Sequence, residues 1–99
     1  MAGFTVTAAE LRKKAAELRD LNSQFKSEVG SMEGYEEALN GMWDGEANDA
    51  FHRAFMNDKG QMDNFYNLIE QYAAALETIA QKYEEAEKIA LEKAQTRTY

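Results

Sequence analysis

The side chains that could do chemistry here are few, and none is grouped for it. His52 is the one histidine, and cysteine is absent. That excludes thiolate nucleophiles, thiolate zinc sites and disulfides, and leaves a single imidazole with no second one beside it. Asp44-Gly45-Glu46 and Asp58-Lys59-Gly60 combine acids with glycine, but neither has the spacing of a calcium-binding loop. Glu84, Glu85 and Glu87 read as a solvated acidic face. Ser23, Ser27 and Ser31 have no base in phase with them, and no glycine-rich phosphate loop is present. The expectation is a chain that is not an enzyme and carries no metal or cofactor.

Two short patterns remain. Trp43-Asp44-Gly45 stands at mid-chain, and Tyr83-Glu84-Glu85-Ala86-Glu87 stands near the end. The second places Tyr83 and Glu87 four residues apart, on one helical face, as a docking surface requires. Each has a plain packing reading beside it. Trp43 could plug the end of a bundle, with Gly45 for the turn. Tyr83 also falls on an apolar row and could be core.

These residues must be positioned by helices. Phe4, Leu11, Leu18, Phe25, Met32 and Leu39 recur every seven residues, and Ala8, Ala15, Val29 and Trp43 follow four behind. Asn22 and Glu36 interrupt that companion row. The spacing is that of one amphipathic helix. Thr7 with Glu10 has the form of a capping box, which starts the helix near Ala8. A second stripe runs through Phe55, Met62, Ile69, Leu76, Tyr83 and Ala90, with Phe51, Phe65, Tyr72, Ile79 and Ala86 beside it. Gly41 and Gly45 bracket the break between the stripes. Asp44 or Asn48 is placed to cap the second helix.

The pattern predicts an all-α chain: one hairpin over residues 1–99, with a helix over about 8–41, a turn at 42–46, a helix over about 47–94 and a frayed tail at 95–99. The second helix is expected to run through Gly60, because the apolar row keeps its phase from Phe55 to Met62. At 1.5 Å per residue the helices span roughly 50 and 70 Å, so the start of the first falls near residue 80 of the second.

Both stripes are wider than a two-helix seam needs. Leu21, Tyr35 and Met42 widen the first; Tyr66, Leu68, Ala73 and Ala80 widen the second. A patch of that length in water marks a partner surface. Two hairpins pairing antiparallel into a four-helix bundle would cover it. The expected dimer core is Leu11, Leu18, Phe25, Met32, Leu39, Phe55, Met62, Phe65, Ile69 and Leu76.

The 99 residues carry a net charge of −7, and 44% of them are hydrophobic. An acidic chain lacks the basic footprint that nucleic acid or anionic lipid needs, and the apolar content is too high for disorder. No apolar run approaches a membrane span. No charged-then-apolar leader opens the chain, so a route other than general secretion is expected if it leaves the cell. Charge is also uneven: +2 over residues 1–26, −7 over 27–58 and −2 over 59–99. An antiparallel pair sets the basic stretch beside the partner's acidic turn; a parallel pair crowds two acidic turns together.

With its Trp-x-Gly between two long amphipathic helices and its Tyr83-x-x-x-Glu87 pattern, the chain resembles the small WXG-motif proteins, relatives of the early secreted antigenic target protein of mycobacteria. The resemblance covers nearly the full length. It implies a protein made in the bacterial cytoplasm and exported as a folded dimer by a type VII, ESX-like secretion system. The dimer would be a homodimer or a pair with a WXG-family paralogue. The implied export signal is composite: Trp43 and Gly45 of one chain with Tyr83 and Glu87 of the other, read by the secretion-system ATPase. The alternative reading is a cytoplasmic targeting or chaperone partner for a larger effector. A plain structural bundle is a third, and membrane insertion is disfavoured by the acidic charge.

Overall fold

A computed structural model describes residues 6–96. Two helices make up almost all of it: α1, Ala8–Met42, and α2, Glu46–Thr96. Phe4 and the last three residues of the expected frayed tail lie outside the described residues. Thr7 caps α1: its Oγ1 accepts from the Glu10 N–H at 3.1 Å, one of the two reciprocal bonds of a capping box. α2 runs unbroken through Gly60 and reaches two residues past Ala94. The helices lie antiparallel in a rod of 85 × 25 × 16 Å, with a radius of gyration of 22.8 Å. A compact domain of this size would have about 13 Å.

The seam between the helices is made of small and polar residues. Ala8, Ala15, Asn22, Val29 and Glu36 are the buried positions of α1. Ala73 and Ala80 face them from α2 with no exposed surface, and no large side chain is fully buried among the described residues. Asn22 and Glu36, which look like interruptions in the sequence, thus stand on the innermost row. Alanines let the backbones approach closely, and each polar group on the row finds a partner across the seam. Asn22 Nδ2 donates to the Tyr66 carbonyl at 3.0 Å and to Glu70 Oε2 at 2.9 Å. Glu36 Oε1 lies 2.5 Å from His52 Nδ1.

The two flanks of the seam differ. One is polar. Arg19 bridges Glu70 and Glu77 at 2.7 Å each, Arg12 meets Glu84 at 3.3 Å, and Lys59 lies between Asp63 and Glu33. Lys26 sits over the Tyr66 ring, 4.9 Å from its centroid. The other flank is apolar and only half covered. Leu11, Leu18, Phe25, Phe55, Met62, Ile69 and Leu76 are half-buried, and Met32, Leu39 and Phe65 are exposed. Phe25 packs edge-on against Phe65, with centroids 5.5 Å apart. Outside this row Leu21, Tyr35, Leu68, Tyr72 and Ile79 are open to solvent, Tyr35 by 79%.

The start of α1 meets the Glu87 side chain, because side chains lean toward the N-terminus of their own helix and a later residue of α2 reaches back to it. The basic groups expected to serve the partner are largely engaged at home: Arg12 and Arg19 pair with α2, Lys14 with Glu17, and Lys26 with Tyr66.

Candidate functional site

The hairpin carries its two sequence patterns at opposite ends. At the closed end α1 stops at Met42, and Trp43 turns into extended backbone at φ −131°, ψ 109°. Gly45 follows at φ +115°, a conformation that side chains disfavour. It occupies the N-cap place of α2, and its carbonyl accepts from the Asp49 N–H at 3.1 Å. Neither Asp44 nor Asn48 caps the helix. Asn48 is buried and turns back to α1, donating from Nδ2 to Asn40 Oδ1 at 2.8 Å, while its own Oδ1 has no partner.

Trp43 shares the phase of the inner row but leaves the helix before it can pack there. Its indole lies half-buried against Phe51, with ring centroids 5.9 Å apart and planes tilted by 50°. Beyond Phe51 an open apolar groove of about 300 Å³ runs past Met32, Tyr35, Leu39 and Phe55. Met42, the last residue of α1, is 81% exposed. The closed end is therefore an aromatic and apolar platform continuous with the uncovered flank, within the acidic third of the chain.

At the open end Tyr83 and Glu87 part company. Tyr83 lies on the apolar flank and is 44% exposed. Glu87 turns toward α1, where its Oε1 meets the Ala8 N–H at 3.4 Å. Tyr83 stands about 55 Å along α2 from the turn, at 1.5 Å per residue. Trp43 and Tyr83 of one chain therefore cannot meet.

His52 is partly exposed, and its Nδ1 partners the buried Glu36 across the seam. The signal that could have found this pair is the polar residue at a row position of α1, which demands a partner from the facing helix. Among the described residues no group of three or more His, Cys, Asp or Glu could hold a metal ion, and no helix is long and apolar enough to cross a membrane.

Known structures of similar shape fit this geometry. The secreted protein EsxB of Bacillus anthracis str. Sterne superposes with a TM-score of 0.78 at 25% identity, over 88% of this chain and 99% of that one. Its wild-type form in another crystal gives 0.76 at 26% identity, over 85% and 97%. EsxA of Geobacillus thermodenitrificans shares the fold with a TM-score of 0.76 at 21% identity, over 91% and 98%. No curated protein sequence matches. The family described as proteins of 100 residues with WXG matches residues 3–88, which takes in α1, the Trp-x-Gly turn and most of α2. The chain belongs to that family, WXG100.

Proposed function

We propose that this protein is a substrate of a bacterial type VII, ESX-like secretion system, made in the cytoplasm and exported as a folded dimer of two antiparallel hairpins. Membership of WXG100 and the likeness to secreted EsxB support the export reading. The observation that carries the dimer is the uncovered apolar flank, which runs from Trp43 and Phe51 at one end to Tyr83 at the other. A second copy, or a family paralogue, laid antiparallel on this flank covers it. The same pairing brings Trp43 and Gly45 of one chain to Tyr83 and Glu87 of the other. The expected dimer core is the half-covered row, Leu11, Leu18, Phe25, Met32 and Leu39 with Phe55, Met62, Phe65, Ile69 and Leu76. The secretion-system ATPase is the reader of the composite end. The orientation rests on this geometry more than on charge, since the basic groups of α1 are paired within the chain.

The test is a secretion assay in cells with and without that ATPase. Export is expected to depend on the ATPase. Trp43→Arg is expected to remain helical and dimeric and to stay in the cells. Normal export of Trp43→Arg would show that the indole is only a plug for the turn.

A further inference from the structure

At the open end the first turn of α1 lies against α2 and is closed by an acceptor from the far end of the chain. Ala8 is the first helical residue and is 4% exposed. Thr7 serves the N–H groups of Glu10 and Leu11, through its hydroxyl and its carbonyl. The N–H of Ala8 has neither. It is a terminal helix donor, withdrawn from water by burial, at the positive end of the helix dipole. The group that meets it is Glu87 Oε1, 79 residues away in sequence. The other contact at this end, Arg12 with Glu84, is half open to solvent and correspondingly screened.

We propose that Glu87 is a positioning residue: its carboxylate clasps the first N–H of α1, shuts the open end of the hairpin and so holds Tyr83 on the apolar flank where the partner's turn arrives. The clasp itself stands on the contact between α1 and α2; its consequence for Tyr83 rests on the export reading above. Glu84 and Glu87 lie three apart on the α1 side of α2, and Tyr83, one residue before Glu84 and four before Glu87, stands at the edge of that face toward the apolar flank. Closing the end on Glu87 therefore sets the rotation of α2 that presents Tyr83. It also means that the two residues of the pattern act differently, Tyr83 outward and Glu87 inward.

The test is hydrogen exchange on the full-length protein, read amide by amide. Glu87→Ala is expected to speed exchange over Ala8–Arg12 by about fivefold, the scale of a terminal charge interaction, and to leave Val29 and Ala73 unchanged. Glu85→Ala removes the same charge from an exposed position of the same helix turn, and is expected to change neither region. Glu87→Gln keeps an acceptor oxygen without the charge and is expected to fall between the two. Equal exchange at Ala8–Arg12 in Glu87→Ala and Glu85→Ala overturns the clasp. Export measured on the same variants separates the two readings. Faster exchange with normal export upholds the clasp and removes Glu87 from the export label. Lost export with unchanged exchange overturns the clasp and leaves the label standing.

Discussion

Arg19 crosses the seam to Glu70 and Glu77, and the bond to Arg19 holds the Glu77 carboxyl below its ordinary value. Because the folded pKa is the lower one, this contribution to stability is whole above the ordinary carboxylate range. It fades as pH falls through the lowered value. Arg19→Met is expected to melt at a lower temperature than the parent at neutral pH. The two curves should converge in acid, where Glu77 is protonated in both, and thermal melts across pH check this. The buried Glu36 depends on a different kind of partner. His52→Ala leaves its carboxylate without the imidazole at 2.5 Å, and an abandoned buried acceptor costs about 2 kcal/mol. Urea titration should show a loss of that order, partly restored in His52→Gln.

The elements are set by local rules at their ends and by packing along their length. α1 starts where Thr7 offers a cap and stops where Trp43 leaves helical angles. The reversal then depends on Gly45, whose φ of +115° an L side chain rarely adopts. Gly45→Ala is expected to destabilise the hairpin by about 1–2 kcal/mol, the scale of a left-handed backbone penalty. Gly60 is the opposite case. It lies inside α2 at helical angles, and an added methyl meets nothing within 4 Å. Gly60→Ala is expected to stabilise by about 0.5–1 kcal/mol, through helix propensity and a less flexible unfolded chain. Paired denaturation curves of the two variants decide whether turn and helix glycines separate in this way.

For the whole molecule the governing fact is shape. A rod 85 Å long and 16 Å thick has no interior in which to hide its aromatic residues. Among the described residues the buried hydrophobic ones are four alanines and a valine, while Phe65, Leu68, Tyr72 and Ile79 remain open. Burying apolar area contributes roughly 25 cal/mol per Å², so the gain lies in covering that flank with another chain. Phe65→Asp places a charge in the middle of the proposed interface, beside Phe25. Light scattering on the purified protein should give a dimer for the parent and a monomer for Phe65→Asp, with helix content retained. A dimer that survives the substitution places the contact elsewhere.

Local chemistry made much of this legible without coordinates. The seven-residue repeat, the Thr7 cap and the glycines around Trp43 each act within a few residues, so two long helices and one sharp turn follow from the sequence. The tertiary structure decided which row faces inward. By hydrophobicity the row of Leu11, Leu18 and Phe25 should be innermost, yet it forms a flank, and Ala8, Ala15, Asn22, Val29 and Glu36 hold the seam. Small residues win there because they let two helices approach, and polar ones are tolerated because His52, Glu70 and the Tyr66 carbonyl stand opposite. The same limit applies to Glu87. Its spacing from Tyr83 assigns both to one face, but the N–H it meets belongs to the far end of the chain, and only the folded hairpin brings the two together.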